Sequence, residues 1–287
     1  NAFNAKHTKM LKDAVNIPVF IGHNIFSPED AEKMLAEGNA DFVALGRSQL
    51  ADPAWAKKAK EGRASDIKPC INCLIGCIDR GMLSHTPIHC TVNPSLYRFE
   101  CKPVEKAETR KQVAVVGAGP TGCEAALTAS KRGHQVTIYE KRCIGGAMIE
   151  ASKPENKANI KRLIHYYEDH IMHDPNITLV KKEVEYETLV HRGYDAVIIA
   201  VGGKTRILNV PGIEKNSVIY ASDYLNGSTA VTGNTVVVIG GGITGAETAL
   251  ELNAEGEKVT IVEMTDAFLA NLVPLVRHIL QRSMKQT

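Results

Sequence analysis

Four cysteines, Cys70, Cys73, Cys77 and Cys90, fall at the spacing C-x2-C-x3-C-x12-C. Thiolates gathered in so short a stretch are ligands for a metal ion or a cluster. Zinc ribbons pair two C-x2-C knuckles, and this chain has one, so an iron–sulfur centre is favoured over structural zinc or buried free thiols. Cys101, Cys123 and Cys143 fit no ligand pattern and read as packing residues. Cys143 precedes Gly145-Gly146, but no C-x4-C pair follows it, which argues against a dithiol–disulfide active site. His85 and His89 lie between Cys77 and Cys90 and could serve as alternative ligands. They read better as solvent-side loop residues.

Two glycine-rich fingerprints flank a different chemistry, the binding of pyrophosphate. In the first, Gly117-Ala118-Gly119-Pro120-Thr121-Gly122, the glycines allow a tight turn, close approach of phosphates and close helix packing in that order. The following helix presents its N-terminus to the anion. Glu140 ends the next strand, placed for ribose hydroxyls. The second fingerprint is Gly240-Gly241-Gly242-Ile243-Thr244-Gly245, with Glu263 in the same role. A carboxylate there accepts a free 2′-hydroxyl and repels a 2′-phosphate, and Met264 rather than an arginine follows it, so NADH is favoured over NADPH. VAVVGAGPTGCEAAL and VVVIGGGITGAETAL align without a gap as an internal repeat. A cluster lying among nucleotide sites suggests an electron relay. No Ser/His/Asp or paired-carboxylate arrangement emerges.

The elements that must position these residues follow from periodicity. Ile17 to Ile21 and Asp41 to Leu45 are short apolar runs, read as buried strands. Each ends in a loop, Gly22-His23-Asn24 and Gly46-Arg47. Those two loops are either phosphate-binding turns, as after the last strands of a (β/α)8 barrel, or plain strand–helix turns. Ser27-Pro28-Glu29-Asp30 starts a helix that turns Ala31, Met34 and Leu35 inward and stops at Gly38. Ala54 to Lys60 is a short helix, and Trp55 reads as a packing residue. Ile67 to Cys101 has no clear period, with a turn at Thr91-Val92-Asn93-Pro94, and Pro103 to Arg110 is a charged linker. Strands are expected over Gln112–Val116, Gln135–Glu140, Ala196–Val201, Thr235–Ile239 and Lys258–Glu263. Helices are expected over Gly122–Arg132, Asn156–His170 and Gly245–Glu255. In Asn156–His170, Ile160, Leu163, Ile164 and Tyr167 share one face.

The chain has 287 residues, enough for about two domains. Its 34 basic and 32 acidic residues nearly balance, which gives no support for nucleic-acid binding or attraction to a membrane surface. No apolar run approaches the roughly 18 residues of a membrane span, and the polar start from Asn1 to Leu11 is not a secretory leader. Seven cysteines, an odd count with four clustered, suit a reducing cytoplasm better than a disulfide scaffold.

Taken in order, IGHNIFSPEDAEKMLAEGNADFVALGRSQLADP, CINCLIGC, HCTVNP, VAVVGAGPTG, YEK, YDAVIIAVGG, VPG and VVVIGGG resemble the C-terminal part of a known group. It is the iron–sulfur flavoenzymes of the Old Yellow Enzyme-like NADH:flavin oxidoreductase family, which includes bacterial 2,4-dienoyl-CoA reductase, 2-enoate reductases and trimethylamine dehydrogenase. The resemblance covers almost the whole chain and implies an α/β fold in four parts. These are residues 1–65, the last two β/α units of an FMN-binding TIM barrel; 66–105, an iron–sulfur segment and linker; 106–232, a Rossmann-like FAD domain; and 233–287, the start of a Rossmann-like NAD(P) domain.

The same resemblance implies the roles. Gly22, His23, Asn24, Gly46 and Arg47 would meet the FMN phosphate, and this chain has His23-Asn24 where the family commonly has Gly-Ile. Cys70, Cys73, Cys77 and Cys90 would ligate a 4Fe-4S cluster. The first fingerprint, Glu140, Lys141 and Gly146 would hold FAD, or only ADP, and Ala200, Val201 and Gly202 match the crossover toward the NAD domain. Gly240, Gly242, Ile243, Thr244, Gly245 and Glu263 would bind the nicotinamide nucleotide. A complete member has about six more barrel units ahead and the rest of the NAD domain behind, so this chain reads as a fragment that cannot itself complete catalysis. Its two barrel strands, left with open edges, are expected to pack on the Rossmann domain or on another chain, including a second copy. The implied activity is reduction of an activated alkene by NADH through FAD, cluster and FMN. Amine dehydrogenation is the alternative enzyme, and a module like the glutamate synthase small subunit the alternative electron-transfer protein.

Overall fold

The computed structural model describes residues 4–96, 104–270 and 272–286. The first unit opens with an unanticipated helix α1 (Ala5–Ala14), followed by strand β1 (Phe20–Ile21). Helix α2 (Pro28–Ala36) is started by Ser27, whose hydroxyl accepts from the Asp30 amide at 3.2 Å, and it is followed by strand β2 (Phe42–Val43). β1 and β2 pair in parallel with Phe20 opposite Phe42 and Ile21 opposite Val43. Both strands are shorter than expected. At Val19 the amide goes to the Asp41 carboxylate at 2.9 Å, so side-chain bonding replaces the ladder there. The strand pleat sends Ile21 into a core with Ile25, Ala31, Met34 and Trp55. It sends Phe20 and Phe42 outward, where they stack at 4.8 Å and remain 63% and 50% exposed. The expected packing of this outer face on the Rossmann domain does not occur within the chain, because α2 and Trp55 close only the opposite face. Trp55 is a packing residue, as read.

Helices α3 (Arg47–Ala51) and α4 (Trp55–Lys60) lead to the cysteine segment. Buried Asp52 anchors its start, accepting from the Lys68 amide at 2.9 Å and pairing with Lys58 at 2.6 Å. The segment then forms a π-helix over Ile75–Leu83, with Asp79 N–H bonded to the Leu74 carbonyl at 2.9 Å and Ser84 N–H to that of Asp79 at 2.7 Å. The five-residue hydrogen-bond step is a register that apolar spacing does not specify, and Ile75, Ile78, Met82 and Leu83 fall at helical spacing within it.

The second unit alternates β3 (Gln112–Val116), α5 (Pro120–Lys131), β4 (Gln135–Tyr139), α6 (Met148–Ala151), α7 (Ala158–Met172), β5 (Ile177–Val180), α8 (Tyr186–His191) and β6 (Ala196–Ile199). Its sheet is parallel, in the order β5-β4-β3-β6. The chain winds one way from β3 to β5 and then crosses to the far side of β3, which leaves a crevice at the carboxyl end of β3. Val113, Val115, Val136 and Ile138 meet Cys123 and Ala126 of α5 and Leu163, Tyr167 and Ile171 of α7. Ile164 is also buried, while Ile160 is only partly so. β5 completes the sheet edge and was not anticipated.

The third unit contains α9 (Ala221–Leu225), β7 (Thr235–Ile239), α10 (Ile243–Ala254), β8 (Lys258–Val262) and α11 (Pro274–Gln286). β7 and β8 pair in parallel. α5 and α10 each begin two residues before the expected glycine start, because extended Gly119 and Gly242 serve as their N-caps. Among the described residues no helix is long and apolar enough to cross a membrane.

Candidate functional site

Cys70, Cys73, Cys77 and Cys90 all line one cavity of about 20 Å³. Local backbone brings them together. Asn72 (φ 55°) and Leu74 (φ 61°) flank Cys73 in left-handed conformations, curling the chain around it. The π-helix starts directly after Leu74 and carries Cys77. Gly76 then docks on the returning strand, its carbonyl accepting from His89 N–H at 2.8 Å, which sets Cys90 beside Cys77. A Cβ on Gly76 would collide with the His89 carbonyl oxygen, so only glycine permits this approach. Asn72 N–H donates to Cys70 Sγ at 3.4 Å, and Thr91 Oγ1 hydrogen-bonds Cys73 Sγ at 3.1 Å. Among the described residues no three His, Cys, Asp or Glu side chains are grouped to hold a single metal ion. The thiols therefore surround the cavity without meeting at one centre.

Burial pushes the Cys70 thiol up to about 11, against smaller opposing pulls from the Asn72 amide and the Arg47 charge, and burial also raises Cys77. Ionising Cys70 at pH 7 costs roughly 5 kcal/mol at 1.36 kcal/mol per unit. A bound metal would take that proton, since the thiolate is the ligand form. Without one, Cys70 is a neutral and unreactive thiol.

Arg47 ties this cavity to the loops after β1 and β2. Its Nη2 donates to Asn24 Oδ1 at 2.8 Å, its Nη1 to Asn72 Oδ1, and its guanidinium lies 5.9 Å from the centre of the Phe26 ring. Ser48 Oγ donates to the Ile25 carbonyl at 2.7 Å, clamping the same two loops. His23 (φ 73°) and Asn24 (φ 56°) are left-handed without being glycine, a cost that concentrates at functional loops. The structure thus brings Gly22 to Asn24 and Gly46-Arg47 together.

The first fingerprint is enclosed. Gly117 (φ +100°) lies so close under the Ala200 carbonyl that a Cβ would collide with it, and a Cβ on Gly122 would strike the Gly117 carbonyl. Gly146, also left-handed, crosses over Gly119. Ala200 N–H bonds the Val116 carbonyl at 2.8 Å, and Gly202 turns with φ +71°. Pro120 and Thr121 form the first turn of α5. Glu140 accepts from Ala118 N–H and Arg142 N–H, both at 2.7 Å. Lys141 pairs with Glu183 at 2.8 Å on the exposed surface.

The second fingerprint repeats the turn. A Cβ on Gly245 would strike the Gly240 carbonyl, and Ile243 and Thr244 open α10. Glu263 accepts from Gly241 N–H at 2.7 Å and from Thr265 N–H and Oγ1–H at 2.8 and 2.9 Å. The Thr265 and Gly241 amides hold its carboxyl below the usual range. Met264 is 96% exposed.

The remaining cysteines divide. Cys123 is buried, its thiol donating to the Ala118 carbonyl at 3.2 Å and pushed up to about 12 by burial and then by the Glu140 charge. Cys143 is exposed and is not the packing residue expected, because the loop after β4 turns it to solvent. Cys101 lies outside the described residues. His85 is solvent-side, as read, whereas His89, though exposed, also lines the cysteine cavity. The residues missed from sequence are Asn72, Thr91 and Gly76. Asn72 left a trace, since Asn between two close cysteines is a residue that tolerates the left-handed region. Lys68 and Glu124, 2.7 Å apart with Tyr167 donating to Glu124 at 3.1 Å, fasten the cysteine segment to α5 and α7.

The chain belongs to the pyridine nucleotide-disulphide oxidoreductase family, whose model matches residues 111–287 and, separately, 100–153. Ahead of that, residues 2–66 match the NADH:flavin oxidoreductase / NADH oxidase family, and the two together place the chain among Old Yellow Enzyme-like NADH:flavin oxidoreductases. It is 42% identical over 272 residues to an NADH oxidase of Thermoanaerobacter brockii, covering 93% of this chain and 42% of that protein. It is 33% identical over 265 residues to a cinnamate reductase of Clostridium sporogenes, covering 92% and 39% respectively. A 2-naphthoyl-CoA reductase complex superposes with a TM-score of 0.93 at 30% identity, covering 99% of this chain and 43% of that one. The chain therefore spans less than half the length of these relatives.

Proposed function

We propose that this chain is the electron-input part of an NADH-dependent flavin oxidoreductase that reduces an activated alkene of the enoate or enoyl-CoA type. The chemistry supplied by the bound groups is hydride acceptance from NADH by FAD, one-electron transfer by a 4Fe-4S cluster, and delivery to the alkene by FMN. The carrying observation is that Cys70 and Val92 of the cysteine cavity share one buried core with Ala118 and Cys123 of the first fingerprint. This shared core supports reading the cysteine cavity and the first fingerprint as neighbouring sites.

Four cysteines around a cavity suit a cluster better than zinc. Zinc ribbons pair two C-x2-C knuckles, and this segment has one, followed by C-x3-C. The N–H and hydroxyl donors to Cys70 and Cys73 are of the kind that tune cluster sulfurs. At the first fingerprint, the N-terminus of α5 receives the pyrophosphate and Glu140 faces the ribose. At the second, Glu263 repels a 2′-phosphate and favours NADH. Gly22 to Asn24 and Gly46-Arg47 hold the FMN phosphate. The relatives named for cinnamate and 2-naphthoyl-CoA support a conjugated acid or acyl-CoA as the substrate class.

The test is anaerobic addition of NADH to the chain loaded with iron, sulfide and FAD. The flavin should bleach and a reduced-cluster electron paramagnetic resonance signal should follow. Bleaching with no cluster signal, or faster bleaching by NADPH, would contradict the relay or the nucleotide assignment respectively.

A further inference from the structure

Arg47 touches two loops that the proposed function gives to different groups. Its two terminal nitrogens are both engaged, one by Asn24 beside the FMN-phosphate loop and one by Asn72 inside the C-x2-C turn. Asn72 is doubly committed as well: its side-chain oxygen takes Arg47, and its backbone N–H takes Cys70 Sγ at 3.4 Å. Both asparagines sit in left-handed backbone, at φ 56° and 55°, a conformation that turns each amide side chain toward the arginine and is costly for most other residues. Arg47 also lines the cysteine cavity, and among the described residues no Asp or Glu lines it. Arginine stays charged throughout the physiological range, so a fixed positive charge stands in the cavity wall.

We infer that the Asn24–Arg47–Asn72 chain is a positioning strut that sets the reduction potential of the cluster held by the cysteines. This inference rests on the proposed function. The reduced cluster carries one more negative charge than the oxidised one, and a nearby cation favours it. One electron enters and no proton moves. Asn72 acts through Arg47: it holds the guanidinium against the cavity wall while keeping the Cys70–Cys73 turn curled.

The test is a mediated redox titration of the anaerobically reconstituted full chain, read by electron paramagnetic resonance. Arg47→Gln should shift the ratio of reduced to oxidised cluster about tenfold toward oxidised at fixed potential, about 59 mV for a one-electron couple. Asn72→Gly keeps the left-handed turn and removes the acceptor, and should shift the ratio the same way by less. The double variant should match Arg47→Gln alone, because the two act in series. Arg47→Lys, which keeps the charge, should recover most of the shift. Wild-type potential in Asn72→Gly, or simple addition of the two shifts, overturns the strut, and Asn72→Gly decides the matter if Arg47→Gln assembles no cluster. A wild-type chain holding no iron and sulfide overturns the proposed function, and the strut with it.

Discussion

Residues 113–127 and 236–250 carry nearly the same sequence pattern and make the same turn, yet they sit in different surroundings. In both, the third glycine presses on the carbonyl of the first, and the acid after the next strand accepts the amide of the second position at 2.7 Å. The first copy is roofed by Ala200 and crossed by Gly146, and its strand residues Ala114 and Val115 are fully buried. The second has nothing within 4 Å of a Cβ at Gly240, while Val237 and Ile239 are 59% and 62% exposed. The fingerprint thus specifies the turn, whereas segments distant in sequence specify the enclosure. The first copy is joined to the cysteine segment by other residues, through the core that Ala118 and Cys123 share with Cys70 and Val92 and through the Lys68–Glu124 pair.

The largest expected effect is at the third glycine. Gly122→Ala forces a Cβ onto a backbone carbonyl in a closed core and should cost about 2–3 kcal/mol in urea denaturation. Gly245→Ala makes the same collision in the more open copy and should cost less. Equal losses would show that enclosure is irrelevant. Next comes the first glycine. Alanine at Gly117 or Gly240 takes a positive φ, costing about 1 kcal/mol at either site, but only Gly117→Ala also meets the Ala200 carbonyl. Gly117→Ala should therefore lose both more stability and more flavin affinity, and matched losses would remove the roof from the account.

At the acids, Glu263→Gln should narrow the preference for NADH over NADPH on the order of tenfold in nucleotide titrations, the scale of one charged hydrogen bond. Since amide bonds lower the folded pKa of Glu263, its stabilising contribution is present above the ordinary glutamate value of about 4.3. That contribution should be lost as pH falls through the lowered value. Protection of the Gly241 and Thr265 amides, their exchange measured against the intrinsic rate at each pH, should fall over that acid window, and unchanged protection would count against the bond. The smallest effect is in thiol labelling of metal-free chain at pH 8. Cys143 should react first, while buried Cys70 and Cys123, raised to about 11 and about 12, should lag by orders of magnitude.

The legible parts of the molecule were the locally encoded ones. Strands β3, β4, β7 and β8 with helices α5 and α10 follow from glycine spacing and β-branched runs, and the gathering of Cys70, Cys73, Cys77 and Cys90 around one cavity follows from their close spacing. What escaped depends on distant partners. Ile177–Val180 is a plain apolar tetrad until Val136 pairs with Ile177. The apolar residues of Ile75–Leu83 fall at helical spacing, but nothing in that spacing marks the five-residue hydrogen-bond step. Arg47 could be assigned to a phosphate loop from sequence, but its contact with Asn72 across 25 residues could not be read. The pairing of Lys141 with Glu183 on the exposed surface likewise has no local signal.

The most direct test is the metal content of the anaerobically purified chain. About four irons and four acid-labile sulfides per chain, both lost in Cys73→Ser, is the predicted result. Stoichiometric zinc, or four free thiols with no metal after reconstitution with iron and sulfide, would contradict the claim that these cysteines hold an electron-transfer cluster.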